Sequence, residues 1–559
     1  MNLSIVNKLN QIYKEIKFSY RYVFFLSFVS SLLLSIFEGF FLGSVFNLTN
    51  NLLGNNNENL NLFKGFALFT ERTDNILILC ALIIICITLL KILNIFLNTF
   101  LYYKINTSIS KKIFKKIMYQ NLDFHKNTNS SKIISTLNEK SKSVGEITFF
   151  LLSILRCICI LIVITVSTIY ISSIKFVPVV IIFFLFYFLI YKLFKSRLNK
   201  YGNDIAMYND KIVKNIQESL YSVIFILLHK SQKSIINKFH KVVSNLRKSQ
   251  AKVVFTSSVP YIFVQSLGFL LIIYLIYLFD IQKNFLELIP LLAMGLVAIQ
   301  RILPNFNEMF SSISTIKALE KNFTDAQELV NLEINSQNLA QNNAKLNFHK
   351  NIYLQNIDFS YSEKKPVLKN FNLEIKKNTI FGICGTTGSG KTTIINLILG
   401  FYKPNKGNIL IDDKELKNED ILKWQENLSY VPQKVYLIDD TILSNITLGD
   451  NDKNVDVELL NNSIEFAELK DFIDMQKKGI NHIIGEDAGK ISGGQKQRIG
   501  IARAIYKNSN TLVLDESLNS LDNVTKEKIL SKLKLTNKTI IMISHQKSDL
   551  KICDEVFEI

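Results

Sequence analysis

No two cysteines of the chain stand at CxxC spacing, and no Cys/His series has zinc-finger ligand spacing. No RNA-binding signature is present either. These absences remove the small metal-bound and nucleic-acid-binding modules from consideration. The six cysteines do not suggest a disulfide framework. Cys80, Cys86, Cys157 and Cys159 lie inside apolar runs, and Cys384 and Cys553 in the second half. All read as small buried hydrophobes of a reducing compartment. No cleavable signal peptide is evident. Residues 1–21, beginning "MNLSIVNKLNQIYKEIKF", read instead as a basic amphipathic helix lying on a membrane surface.

What is present is grease and positive charge. Of 559 residues 48% are hydrophobic, and Lys plus Arg exceed Asp plus Glu by 65 to 47, a net charge of +18. The apolar residues form long runs before about residue 304 and short strand-sized runs after about 350, so two domains of different solvent class are expected. The basic residues flank the oily runs, as positive-inside topology requires, and no nucleic-acid partner is expected. A bilayer-spanning helix needs about 20 mostly apolar residues. Six runs qualify, at 22–48, 76–101, 147–172, 176–195, 256–279 and 284–304, the third and fourth joined by a tight hairpin around Lys175. The segment before the first run and the loops 104–146 and 192–255 are rich in lysine, whereas 49–74 and 280–283 are not. Both termini and both long basic loops are therefore expected in the cytoplasm.

Those loops carry apolar residues at helical spacing, Ile113, Ile117 and Leu122 in one and Ile212, Ile216 and Leu220 in the other. They are expected to be helices that continue past the membrane and turn back. The apolar knot "ESLYSVIFI" (218–226) is a candidate docking segment at one such turn. The transmembrane domain is expected over 22–325, a linker over 326–346, and a second domain over 347–559. In the last, "NIYLQNIDFSY", "TIFGICG", "TTIINLILG", "TLVLDES" and "TIIMISH" alternate strand-like and helical runs, the mark of an α/β domain with a mostly parallel sheet.

Gly385-Thr386-Thr387-Gly388-Ser389-Gly390-Lys391-Thr392 fits G-x-x-x-x-G-K-[ST], between a strand and a helix that continues through Thr393. Its glycines let backbone N–H groups converge on phosphate oxygens, and the helix N-terminus adds partial positive charge. Lys391 is expected on the β- and γ-phosphates of a nucleotide and Thr392 on Mg²⁺. The strand "TLVLDE" (511–516) ends in Asp515, expected beside the metal's water shell, and Glu516, expected to orient or deprotonate an attacking water.

At "ISGGQKQR" (491–498) the sequence resembles an ATP-binding cassette transporter, whose signature is L-S-G-G-Q; Ile491 replaces the Leu. Other cassette motifs follow in order. Tyr361 resembles the aromatic that stacks on adenine, Gln433 in "YVPQ" the glutamine that senses Mg²⁺ and the membrane domain, and "IGEDAG" (484–489) the loop that touches the partner's docking helix. "NSLD" (519–522), with Asp522, resembles S-A-L-D, and His545 in "ISHQ" the switch histidine. The resemblance covers the whole chain. It implies six transmembrane helices with long cytoplasmic extensions fused to an α/β P-loop nucleotide-binding domain, with ATP and Mg²⁺ as ligands. It also implies a homodimer in which each ATP lies between one chain's Lys391 loop and the other's Ser492-Gly493-Gly494-Gln495. Glu516 and His545 are the implied catalytic pair, and export or outward flipping across a bacterial inner membrane the implied direction.

For the cargo, ionisable residues inside the spans are costly and functional by default. Glu38, Lys91, Arg156 and Arg301 are the candidates, with pairing among themselves as the alternative reading. "SIFEGF", "KILN" and "RILPNFN" resemble the bacterial lipid-linked oligosaccharide flippases, in which basic residues receive the lipid's diphosphate; Lys91 and Arg301 match such positions. Tyr261 and Glu308 depart from that pattern, standing where arginine is usual. A glycolipid is the first expectation. A microcin-like peptide or a hydrophobic drug is the alternative, and the six spans argue against a non-transporting cassette protein.

Overall fold

The structure, a computed structural model, describes residues 18–53, 73–172, 177–278, 285–334, 345–361, 366–386, 388–448, 455–485, 489, 491–546 and 548–559. Residues 1–17 of the N-terminal amphipathic stretch, the hairpin at Lys175, Thr387 and residues 486–488 of "IGEDAG" lie outside the described residues. The chain divides into two compact units, Met1–Glu333 and Ile334–Ile559.

Among the described residues the first unit is built on six long helices: α1 (Phe18–Leu52), α2 (Thr73–Met118), α3 (Lys142–Ser172), α4 (Val177–Tyr221), α5 (Gln232–Leu278) and α6 (Phe285–Val330). Each covers all but at most one residue of one of the six apolar runs. Among the described residues, Tyr20–Leu52, Asp74–Met118 and Ser130–Ile171 hold helices long and apolar enough to cross a membrane. Helix α2 shows how sequence dictates its environment. Ile78, Leu82, Ile85, Leu89, Ile92 and Phe96 form an exposed stripe at helical spacing, while Ile76, Cys80, Ile83, Ile87, Asn94, Asn98, Leu101 and Ile105 are buried against neighbours. The helix has 46 residues, about 69 Å at 1.5 Å each, more than twice a hydrocarbon core of about 30 Å. It therefore outruns the membrane, and Ile109, Ile113 and Ile117 continue the buried face in its far half.

Beyond α2 the chain turns through short helices at Leu122–Asn127 and Ser130–Ser135 and one π-turn, Thr136–Lys140, before α3. Lys140, wholly buried, lies 2.8 Å from Asp210 of α4 and 2.6 Å from Asp325 of α6. Lys321 reaches Asp325 at 2.8 Å, and Ser135 donates to Asp210. A buried charge thus ties three helical segments together outside the apolar runs. Nearby, Gly202 lets α4 and α6 cross closely: a Cβ there would stand 2.4 Å from the Ala318 carbonyl oxygen. Between α4 and α5 the apolar knot forms a short helix, Val223–Leu228, with Ile224, Phe225, Leu227 and Leu228 exposed.

The second unit has two sheets. The antiparallel one has the order β2 (Pro366–Lys376), β1 (Asn351–Ser360), β4 (Lys406–Ile411), β5 (Lys414–Glu415). The other is parallel, in the order β6 (Leu428–Val431), β7 (Thr511–Asp515), β8 (Thr539–Ile543), β3 (Ile380–Cys384), β9 (Glu555–Glu558). Strands β3, β7 and β8 are buried along their whole length, which is why they read as continuous apolar runs rather than alternating ones. The register aligns their C-terminal ends: Val431 pairs with Leu514, Asp515 with Ile543, and Ile543 with Ile383. Helices α7 (Lys391–Ile398), α8 (Gly493–Tyr506) and α9 (Asn523–Lys534) complete the elements that carry motifs.

Candidate active site

In a parallel sheet the loops leaving the strand C-termini share one edge, and ligands bind there. Four strands at about 4.8 Å spacing bring four loops within about 15 Å. These are the loops after β6 (Gln433), β7 (Glu516), β8 (His545) and β3 (385–390). None of this adjacency is visible along the chain, where the same residues are separated by up to 160 positions (545 minus 385).

The result is a carboxylate held from two sides. Gln433 Nε2 donates to Glu516 Oε2 at 2.7 Å, and His545 Nε2 lies 2.6 Å from Glu516 Oε1. Glu516 sits at φ 49°, in the left-handed region that a non-glycine residue seldom occupies, and its N–H is bonded to the Ile543 carbonyl at 3.0 Å. The preceding Asp515 is buried, and Tyr430 donates to its Oδ2 at 3.2 Å. Burial pushes the Asp515 carboxyl above the usual range, and the neighbouring Glu516 charge adds to the rise. The Tyr430 bond and Lys391 oppose it without overcoming it. The Tyr430 hydroxyl in turn is pushed well up, by burial first and by the Asp515 charge second. The sequence reading missed Tyr430, for which a lone aromatic in a strand gives no signal.

The 385–392 loop fits a phosphate chain on observations of its own. Ser389 Oγ is buried with no hydrogen-bond partner among the described residues. Gly388 and Gly390 adopt φ 87° and 105°, conformations that need glycine, and a Cβ on Gly388 would meet open space. Lys391 Nζ is folded back onto the carbonyls of Gly385 (2.8 Å) and Thr386 (2.9 Å), bonds that incoming phosphate oxygens would replace. Thr392 is exposed at the first turn of α7, whereas Thr393 is buried, its hydroxyl 3.0 Å from that of Tyr361. Tyr361 also meets Phe359 and Tyr402 edge to face, which fixes a half-exposed ring close to the helix start.

Ser492 caps α8 in a capping box. Gln495 N donates to Ser492 Oγ (3.2 Å), and Ser492 N to Gln495 Oε1 (2.8 Å). A Cβ on Gly493 would touch nothing within 4 Å, while one on Gly494 would lie 3.0 Å from the Ser520 carbonyl. Asp522 caps α9 through Thr525 N (2.9 Å), and that bond holds its carboxyl below the usual range.

Residues 368–519 match the family described as ABC transporter, and residues 21–279 that described as ABC transporter transmembrane region. The chain belongs to the ABC transporters. The transporter's fold matches the solved structure of a bacterial Atm1-family ABC exporter with ATP bound at TM-score 0.77, over 95% of this chain and 93% of that one, at 20% identity. Among curated relatives it is 28% identical to a lactococcin-G-processing and transport ATP-binding protein of Lactococcus lactis, over 81% of this chain and 64% of that one. It is 31% identical to an ATP-dependent lipid A-core flippase of Colwellia psychrerythraea, over 66% of this chain and 62% of that one. The transporter thus spans a little over three fifths of the length of the curated relatives it matches. It is a membrane protein with a polytopic helical domain ahead of an α/β nucleotide-binding domain.

Inside the membrane unit every ionisable candidate has a partner. Buried Glu38 lies 2.8 Å from Lys91 and 3.4 Å from Arg301, whose guanidinium also stands over the Phe41 ring at 5.1 Å. Arg156 donates to Asn94 Oδ1 at 3.0 Å and to Glu308. Asn94 is itself bonded to Ser27 O, Ser30 Oγ and Ser31 Oγ at 2.8 to 3.1 Å. Glu308 is the partner that supplies Arg156 with a counter-charge. The side chain of Tyr261 lies outside the described residues.

Proposed function

We propose that the transporter hydrolyses ATP to export or flip an amphipathic substrate across a bacterial inner membrane, working as a homodimer with its termini and nucleotide-binding domain in the cytoplasm. The observation that carries the ATPase reading is Glu516, bonded by Gln433 and His545 at the sheet edge that also bears the Lys391 loop. The two bonds leave the carboxylate one orientation, so it acts as general base on a water positioned in line with the γ-phosphate. Lys391 exchanges two loop carbonyls for phosphate oxygens, and the orphaned Ser389 hydroxyl gains a partner. Thr392, Gln433 and Asp515 are the residues that would hold Mg²⁺, which when bound neutralises developing phosphate charge. Tyr361 would stack on the adenine. Ser492 to Gln495 serve the partner's nucleotide, Gly493 offering an unobstructed backbone approach. The exposed apolar Val223–Leu228 turn is a candidate docking segment.

For the cargo, Lys91, Arg156 and Arg301 bring three positive charges and Glu38 and Glu308 two negative ones, so the cluster carries a net +1 (3 − 2). A glycolipid such as a lipid-linked oligosaccharide is the first reading, its polar head exchanging with these acids for the cations. The acid pairing favours a peptide as the second reading, because a diphosphate needs more compensation than one net charge supplies.

The test is Glu516→Gln in proteoliposomes. Hydrolysis falls about a thousandfold and an ATP-bound dimer accumulates. Hydrolysis within about twofold of the parent refutes the general-base assignment. In the parent, stimulation of ATPase activity by lipid-linked glycan against stimulation by peptide decides the cargo.

A further inference from the structure

His545 sits on the turn after β8, and the side chains around that turn form a closed circuit with a buried ion pair at its centre. Ser544 Oγ donates to Asp549 Oδ2 at 2.8 Å and accepts from Gln546 N at 3.0 Å. Lys526 Nζ pairs with Asp549 Oδ1 at 2.5 Å and donates to Gln546 Oε1 at 3.0 Å. Ser548 Oγ adds a contact to Asp549 Oδ1 at 3.3 Å, and Asp549 N bonds Gln546 O at 3.1 Å. Ser544, Lys526 and Asp549 are all buried. The residues on either side of His545 are thus both tied to one ion pair, while the imidazole itself points at Glu516. An ion pair withdrawn from water is a costly way to hold a turn, since apolar packing of the same volume is often as stabilising. Its use here is directional: a fixed charge geometry permits one orientation of the turn, where grease permits several.

Lys526 also joins this turn to the region expected to face a partner chain. It lies in the first turn of α9, its N–H bonded to Asp522 O at 2.9 Å, and Asp522 caps that helix. Two residues earlier Ser520 O abuts Gly494. A continuous path therefore runs from the Ser492–Gln495 helix start through the "NSLD" turn to Lys526, Asp549 and His545.

We infer that Lys526 and Asp549 are positioning residues which, through Ser544 and Gln546, hold His545 against Glu516. The inference rests on the ATPase reading for its kinetic readout but not for its chemical one. The full-length protein in nanodiscs is tested as Ser544→Ala and as the double variant Lys526→Met/Asp549→Leu, which removes both charges and leaves neither unpaired. Three quantities are read: the thermal midpoint, kcat and KM for ATP, and the rate at which diethyl pyrocarbonate modifies His545, with exposed His349 as internal control. For the double variant kcat falls about tenfold with KM changed less than about twofold, because the misplaced group acts only in the reacting complex. His545, released from Glu516, is modified several times faster while His349 reacts at the parental rate. Ser544→Ala, a single-hydroxyl deletion that keeps the fold should the double variant fail to assemble, shows the same changes at about threefold. Parental kcat and parental His545 modification in the variant that folds overturn the inference. So does a fall in kcat with His545 modified at the parental rate, since the damage then lies elsewhere. If the parent shows no Glu516-dependent hydrolysis, the ATPase reading fails, and the modification rate alone still decides whether the pair positions His545.

Discussion

Replacing Lys140 by methionine keeps most of the side-chain volume and removes one buried charge from between two carboxylates. Breaking a buried pair from one side costs about 3–5 kcal/mol, because the remaining charge is stranded out of water. The low end applies here. Lys321 still holds Asp325 at 2.8 Å, and Asp210 is about one-third exposed. Unfolding entropy of about 2 cal/mol/K per residue over the 333-residue first unit gives roughly 0.7 kcal/mol/K, so a loss of about 3 kcal/mol lowers the midpoint by about 4 °C. Thermal unfolding of parent and variant in the same nanodiscs measures this. The pH dependence supplies a second signature. In the parent, burial pushes the Asp325 carboxyl up, but hydrogen bonds from Lys140 and Lys321 outweigh it and hold it below its ordinary value. A depressed carboxylate contributes stability that is present above the unfolded value, about 3.9, and is lost only as pH falls through the folded one. Parental stability therefore gains nothing from this group on going from pH 7 to 5. In the variant burial has one fewer opponent, the carboxyl moves upward, and less stability is lost on acidification than in the parent, so the deficit narrows as pH falls toward the carboxylate range. A shift below about 1 °C refutes the reasoning.

Gly202→Val places a side chain against the Ala318 carbonyl and forces α4 from α6; overpacking of about 1–3 kcal/mol is expected as a lowered midpoint in thermal unfolding. Ser492→Ala removes the capping box of α8 and costs about 1 kcal/mol, with Ser492→Thr retaining the cap, both read by denaturant unfolding. Glu308→Gln removes the counter-charge of Arg156 while keeping an acceptor oxygen, and raises the net charge of the intramembrane cluster to +2 (3 − 1). If the cargo is a diphosphate lipid, the concentration that half-stimulates ATPase activity falls about fivefold, equivalent to about 1 kcal/mol; no change argues for a peptide.

The cargo question shows where reading a chain stops. Lys91, Arg156, Arg301 and Glu38 are conspicuous in apolar runs because charge in a bilayer is costly, so their presence is plain from residue order. Their pairing is not. Glu38 meets Lys91 and Arg301 from two other helices, and Arg156 finds Glu308 across 152 positions, contacts that helix packing alone creates. A free-cation cluster and a neutralised one have the same sequence but differ as receivers of an anion.

In the nucleotide domain the sequence alone determined the local chemistry. The glycines at 388 and 390 accept backbone angles closed to other residues, the apolar run 511–514 ends in two acids, and Ser492 with Gln495 starts a helix. Each follows from rules acting over three to eight residues, the range over which backbone sterics and hydrogen bonding operate. Only the tertiary structure decided that Gln433, Glu516 and His545 form one group, that Tyr430 serves Asp515, and that Lys526 is buried against Asp549. Strand order in a parallel sheet is set by which faces bury against which helices, a sum over the whole domain that no short window contains.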